Sequence, residues 1–362
     1  MAVNGNFAYT FAALRGTQAG RVFYVAMCPL RLIPKLFLFD EEELPAELRA
    51  QRPINRARIP EIARYMLDNP TEYVFSSITA SVDGDLDFAP TSDGLDIGKL
   101  SVSMEAKFII NDGQHRRAAI EAAISERAEL GNEAISVVLF SDGGLQRSQQ
   151  MFADLNQNAI RPTKSIGILY DLRNPLAQLA RQLVDEVEVF RTLTEMEKTS
   201  ISNRSLKLFT LSSIYAGTKA LLGTRRLHEV TSTEHELAVT FWNEVAKHLP
   251  EWRLAAAKKA NPAELRREFV HSHGLALHAL GMMGSALIKS EPTNWKEKLA
   301  GLDAVDWTRR NARIWEGRAL VAGRVSKATN NVQLTASFLK SALQVPLSKE
   351  DTFLEGSLKG SN

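Results

Sequence analysis

The chain has 362 residues, 44% hydrophobic and 24% charged, the balance of a folded globular protein with room for one large or two closely packed cores. Its formal net charge is only +2, so no overall excess dictates an acidic or basic partner. No apolar run approaches the roughly 20 residues of a membrane helix, and a single cysteine, Cys28, excludes an intrachain disulfide and a cysteine-rich zinc site. The opening MAVNGNFAYT lacks the basic start and apolar stretch of a secretory signal, which makes a cytoplasmic protein the expectation.

In chain order, residues 21–27 (RVFYVAM) predict a β-strand, and Cys28 at its end reads as a small packed residue, with a redox or dimer-bridging role as the alternative. Residues 58–67 predict a helix with Ile59, Ile62, Ala63 and Met66 on one face; Pro60 suits its first turn and Asn69-Pro70 ends it. Residues 73–82 predict a second strand, and 100–104 with 107–110 a strand pair or bent strand. Between them, 83–98 reads as a long turn or flap. Asp83, Asp85 and Asp87 fit a tight turn better than a calcium loop, since the twelfth position is Gly94 where a glutamate is needed. An alanine-rich helix over 112–130, a buried strand over 135–140 and a helix over 145–155 follow.

After about Ile160 strand-like runs nearly vanish. Helices are expected over 175–190, 206–222, 233–249, 262–283 and 294–302, and the closing SKEDTFLEGSLKGSN reads as a frayed polar tail. The fold class expected is α+β: a mixed-sheet N-terminal domain over 1–165, a helical domain over 166–345 and a tail over 346–362.

The stretch KFIINDGQHRRAAI (107–120) carries the clearest chemistry. An apolar strand runs into a helix through Asn111-Asp112-Gly113. Such a junction leaves helix N–H groups without partners, and the helix dipole favours an anion there. Gly113 puts no side chain in the way of a phosphate. His115, Arg116 and Arg117 fall in the first turn, where cations are locally disfavoured unless an anion sits among them, either a ligand phosphate or a carboxylate such as Asp112. The alternative is an ordinary helix with solvated arginines. No Walker or Rossmann glycine loop occurs elsewhere.

Asp112-Gly113-Gln114-His115-Arg116 is the signature of the DGQHR family, and the chain resembles that family, in particular its DndB-type DNA sulfur modification members. Two further blocks are similar: Gln51-Arg52 through Asn55, Arg56, Arg58, Tyr65 and Tyr73, and Met151 through Asp154, Asn156, Asn158, Arg161 and Lys164. The resemblance implies a ParB/sulfiredoxin-like domain that binds ATP or another NTP with Mg2+. It implies catalytic roles for Asp112, Gln114, His115 and Arg116, and nucleotide contacts from Gly113, Arg117, Gln51, Arg52, Asn156, Asn158 and Arg161. Sulfiredoxin chemistry does not fit, because positions 114–117 hold no cysteine.

The resemblance also implies double-stranded DNA and other Dnd modification proteins as partners. Six basic and no acidic residues span 198–226, and six basic residues against Glu316 alone span 309–327. The DNA-contact candidates are Arg204, Lys207, Lys219, Arg225, Arg226, Arg266, Arg267, Arg309, Arg310, Arg313, Arg324 and Lys327. His271, His273 and His278 read as a helix face rather than a metal site. Three functions follow: a DNA-binding repressor of the modification genes, switched by nucleotide and dimeric if its site is palindromic, an NTP-hydrolysing enzyme of DNA modification or restriction, or an adaptor that only binds the modification enzymes through its positive faces.

Overall fold

The structure is a computed structural model and describes residues 7–37, 54–141, 145–157, 162–223 and 229–360. It divides into two compact units, Met1–Ile160 and Arg161–Asn362. The first is rich in strands and the second is helical, the mixed class that the residue patterns predict.

Seven strands form the first unit's sheet: β1 (Ala8–Gln18), β2 (Arg21–Pro29), β3 (Ile78–Asp83), β4 (Leu86–Pro90), β5 (Ile97–Ser103), β6 (Lys107–Asp112) and β7 (Ala134–Ser141). Their order is β4-β5-β1-β2-β7-β3-β6, with only β3 and β7 parallel. β3 and β4 lie near opposite ends of that order, yet two residues, Gly84 and Asp85, join them. Two residues span well under ~10 Å, so the sheet must curl until its edges approach. The flap expected within the sheet over 83–98 contains β4 and the start of β5, with turns at 84–85 and 91–96, and β1, which sequence reading left unassigned, is paired along both sides.

Four helices, α1 (Ile33–Leu36), α2 (Ile59–Asp68), α3 (Gln114–Glu126) and α4 (Leu145–Gln157), accompany the sheet. Ala63 and Met66 of α2 join Ile78, Val82, Ile110, Ile120 and Val137 in one core. Cys28 belongs to the same core, fully buried, and burial pushes its thiol up to about 12. A thiol held protonated in this way is a packing residue rather than a nucleophile.

The second unit contains α5 (Lys164–Tyr170), α6 (Pro175–Glu186), α7 (Glu188–Leu193), α8 (Leu211–Leu222), α9 (Ser232–Lys247), α10 (Pro250–Ala256), α11 (Pro262–Glu268), α12 (Gly274–Ser290), α13 (Trp295–Lys298), α14 (Ala312–Trp315), α15 (Thr329–Ala342) and α16 (Lys349–Gly360). Two short strand pairs punctuate them: β8 (Thr194–Glu195) beside β9 (Phe209–Thr210), and β10 (Leu320–Val321) beside β11 (Arg324–Val325). The helix expected over 262–283 is broken, because Val270 N–H donates to the Trp307 carbonyl and Phe269 bridges to Thr308. The expected frayed tail is instead the helix α16, fastened by Lys340–Asp351 (2.7 Å) and Arg318–Glu355 pairs. Among the described residues no helix is long and apolar enough to cross a membrane.

The second core packs Phe190, Phe209, Phe241, Trp242 and Trp252 around α8 and α12. These two helices touch backbone to backbone: a Cβ on Gly281 would lie 2.0 Å from the Gly217 carbonyl oxygen. Overpacking at such a contact costs about 2–3 kcal/mol. Gly281→Ala is expected to lower the melting temperature of this unit by roughly 5–10 °C in calorimetry; an unchanged midpoint would contradict the close approach.

Three histidines of this unit, His271, His273 and His278, are held below the usual imidazole value by burial, His273 at about 4. His271 is fully enclosed; its Nδ1 accepts from Trp252 Nε1 at 3.1 Å, and its Nε2 lies 3.3 Å from Glu251 but misaligned for a hydrogen bond. A ring whose folded pKa is depressed gains a proton on unfolding. The stability it contributes is present above the unfolded pKa near 6.5 and is lost as pH falls. The melting temperature should drop between pH 7 and pH 5, before the carboxylates titrate; a flat profile across that window would refute the assignment.

Candidate nucleotide turn and nucleic-acid interface

β6 delivers the motif at the edge of the sheet. Its penultimate residue, Asn111, is fully buried, accepts from Ser81 Oγ at 3.0 Å and donates to the Ser148 carbonyl of α4 at 3.1 Å. Gly113 then takes φ +113°, and a Cβ there would also meet Ile78 at 3.0 Å. Glycine is required on both counts. With no side chain, Gly113 cannot cap α3, so the helix starts without a side-chain cap.

The five motif residues point in different directions. Asp112 is exposed and pairs with Arg116 Nη2 at 2.8 Å, one helical turn on. The same Nη2 donates to the Ser77 carbonyl at 3.0 Å, and Arg116 Nε is buried without a hydrogen bond. The anion beside the first-turn arginine is thus, in this structure, the Asp112 carboxylate. Gln114 is 4% exposed and its Nε2 has no partner. His115 Nε2 accepts from the Asn55 N–H at 3.2 Å, so that nitrogen carries no proton in this geometry.

Arg117 departs from its expected role. It is buried, with Nε on the Phe37 carbonyl at 2.9 Å and Nη2 on the Pro34 carbonyl at 3.1 Å, and it also pairs with Glu121. It holds the backbone after α1 against α3 instead of facing a nucleotide. The reason is local: the chain leaving α1 has carbonyls outside any ladder, and a buried carbonyl needs a donor.

Described residues of the other two blocks lie close to the motif within the first unit. Asn55 of the first meets His115 of the second, and Met151 Sδ of the third lies 4.0 Å from Ser81 Oγ beneath β6. Gln51, Arg52, Asn158 and Arg161, with the side chain of Asn156, lie outside the described residues. Ser77, Ser81 and Ser148 were not singled out from sequence. Ser81 is fully buried in β3, whose sequence ITASVD also carries Thr79 and Asp83, so no sequence signal marked it.

The basic candidates of the second unit separate into two groups. Lys207 donates to the Thr192 carbonyl at 2.8 Å. Arg266 is 8% exposed, and its guanidinium reaches the carbonyls of Ser202, Asn203, Ser205 and Lys207. Arg309 binds the carbonyls of Arg266 and Gly323. These three fasten backbone, so a DNA-contact role does not fit the enclosed Arg266. Arg204, Arg310, Arg313 and Arg324 are exposed, and their side chains form no ion pair or hydrogen bond among the described residues. Arg267 is exposed, 3.8 Å from Glu264. Lys219 lines a cavity of about 930 Å³ with Tyr215 and Met282, and Arg225 and Arg226 lie outside the described residues. No group of three or more histidine, cysteine or acidic residues suited to a metal occurs among the described residues.

The family described as DndB, DNA-sulfur modification-associated, matches residues 11–346, which takes in nearly all of both units. No curated protein and no solved structure matches the chain. A match of that extent means that this chain belongs to the DndB family of DNA-sulfur-modification-associated proteins.

Proposed function

We propose that the chain is a DNA-binding regulator of a DNA phosphorothioation system, a repressor of the modification genes that grips double-stranded DNA through its helical unit. The observation that carries this reading is the set of exposed arginines without protein partners, Arg204, Arg310, Arg313 and Arg324, on a chain whose net charge is only +2. Unpaired guanidinium groups suit phosphate oxygens and give affinity that falls with salt. The regulator acts in the cytoplasm, alone or with other Dnd modification proteins, and as a homodimer where its site is palindromic.

For a repressor, binding to the promoter of its own gene cluster exceeds binding to random duplex, measured by fluorescence anisotropy. Each lost phosphate contact reduces the slope of log affinity against log salt by about 0.9. The double variant Arg310→Ala/Arg313→Ala is therefore expected to flatten that slope by about 2. Equal affinity for promoter and random DNA would end the repressor reading, and an unchanged slope would end the role of these arginines.

A nucleotide site at the Asp112–Arg116 turn is the second element, on a ParB-like reading of the DGQHR domain. It is favoured by the buried Gln114 amide without a partner at the start of the uncapped α3. ATP or another NTP with Mg2+ would act there as a switch between two DNA affinities, or be hydrolysed, with His115 and Arg116 supporting the chemistry. Gln114→Leu separates ligand binding from folding. Replacing an unsatisfied buried amide by a similar apolar shape is neutral or stabilising, so the melting temperature should hold while nucleotide affinity in calorimetry falls about tenfold or more. Unaltered nucleotide affinity in this variant, or NTP turnover that survives His115→Ala and Arg116→Ala, would remove the site from the proposal.

A further inference from the structure

A second cationic site lies wholly within the helical unit, distant in sequence from the DGQHR turn. It is a cavity of about 240 Å³ where the 199–210 loop meets the start of α12. Arg266, Arg267, Arg309 and Lys327 all line it, and no acidic side chain does. The two arginines Arg266 and Arg309 and the chain path to Lys327 are set by the surrounding backbone. Arg266 gathers the loop carbonyls, and the β8–β9 pair closes the loop at both ends. Arg309 is held on the Arg266 and Gly323 carbonyls. The β10–β11 hairpin, turning through Ala322 and Gly323 at positive φ, sends the chain on to Lys327.

Lys327 differs from the two structural arginines. Its ammonium has no hydrogen bond or ion pair among the described residues. It stands over the first residue of α12, 3.4 Å from where a Gly274 Cβ would be. Arg266, Arg267, Arg309 and Lys327 line the same cavity, and their charges act on the neighbouring His273. His273 is held near 4 by burial first, against the raising effect of its hydrogen bond to the Arg266 carbonyl, with the charges of Arg309, Lys327 and Arg266 adding to the lowering. Lys327 is exposed at the rim of the cavity, and packing around it lowers its pKa. Thr199 and Ser200, both exposed, line the same cavity, and their side chains form no hydrogen bond among the described residues. The first two amides of the 17-residue α12, at Gly274 and Leu275, have no acceptor there either. Lysine, hydroxyls and helix amides without acceptors, with no carboxylate among them, are the donor set of an oxyanion site.

The volume limits the ligand. Drug-sized molecules occupy pockets of roughly 300–1,000 Å³, so a cavity of about 240 Å³ takes one group of a larger molecule or a small free anion. We infer that this pocket binds a single phosphoryl group, with Lys327 as its charged ligand and Thr199, Ser200 and the α12 amides as its hydrogen-bond donors. The group has two sources: a backbone phosphate of DNA or a free phosphorylated compound. The pocket does not depend on the regulator reading above.

The test uses the full chain and inorganic phosphate at constant ionic strength, with chloride as the balancing anion. Calorimetry should show saturable phosphate binding, and the melting temperature should rise with phosphate, because a ligand of the native state stabilises it. Lys327→Ala should weaken that binding about tenfold or more, the loss of one charge-assisted hydrogen bond. Without phosphate the same variant should melt at or above the parent temperature, since it removes a repelling cation. Lys327→Arg should retain binding, and Lys296→Ala, an exposed control, should leave it unchanged. Absence of saturable binding, or a Lys327→Ala variant that titrates like the parent, would overturn the inference.

Duplex DNA then identifies the source. If phosphate competes with DNA and Lys327→Ala weakens both, the group is a backbone phosphate. If that variant loses phosphate but keeps DNA, the group belongs to a free compound; either result sustains the pocket. A protein that binds phosphate through Lys327 but shows no promoter preference would sink the repressor reading alone.

Discussion

Irregular backbone in this protein is supplied with hydrogen-bond donors by arginine, and much else depends on that constraint. A buried carbonyl outside a helix or sheet needs a partner, and a guanidinium can serve several at once because it carries five N–H donors and no acceptor. Arg117 does this for the carbonyls of Pro34 and Phe37, and Arg116 for that of Ser77. Arg181 gathers the carbonyls of Ile168, Leu169 and Asp171 where α5 ends, a place where the helix dipole also favours a cation. Arg266 and Arg309 do the same for the loop before β9 and the turn between β10 and β11. Removing any of them would leave carbonyls unsatisfied, so their loss would act on folding before it acted on any ligand.

This explains where sequence reading succeeded and where it could not. The α+β division, the strand–turn–helix at the motif and the Ala63/Met66 face of α2 follow from periodicity and glycine placement, which are local properties. The broken 262–283 helix was not legible, because a tertiary hydrogen bond from Val270 to Trp307 decides it. β1 was missed because AYTFAALRGTQ mixes small and polar residues; its strand character comes from two flanking partners. Charge clusters were legible as clusters but not as roles. Arg116 and Arg117 are adjacent in sequence, yet one pairs with an exposed aspartate and the other is enclosed against backbone.

The turn at Gly113 shows how much the remaining chemistry depends on backbone geometry. A left-handed residue between β6 and α3 reverses the chain quickly enough to set Asp112 and Arg116 one above the other. The buried Asn111 anchors the strand to α4 immediately before that reversal, so the turn has little freedom to relax. An anion entering here has to displace or bridge the Asp112–Arg116 pair. An exposed pair of this kind contributes only about 0.3–0.5 kcal/mol, so a phosphate with Mg2+ would meet little resistance from it.

Lys327 presents the opposite case. The protein could have neutralised it with one carboxylate, as Asp351 neutralises Lys340 within the same unit. Its neighbours are instead Arg309, Arg266 and a histidine kept neutral, so every nearby group adds to the positive potential or stays out of it. Arg266 and Arg309 must be where they are to satisfy carbonyls, but nothing among the described residues requires the Lys327 ammonium to stand over α12. Lys327 is exposed, so water screens its repulsion with the neighbouring arginines, and what remains of that repulsion works against the empty protein. That same repulsion is relieved when an oxyanion arrives, and the relief adds to the binding free energy of the ligand. Among the described basic residues, those on carbonyls build the fold, others such as Lys340 and Arg318 are paired with carboxylates, and those without a protein partner are the ones proposed for phosphate.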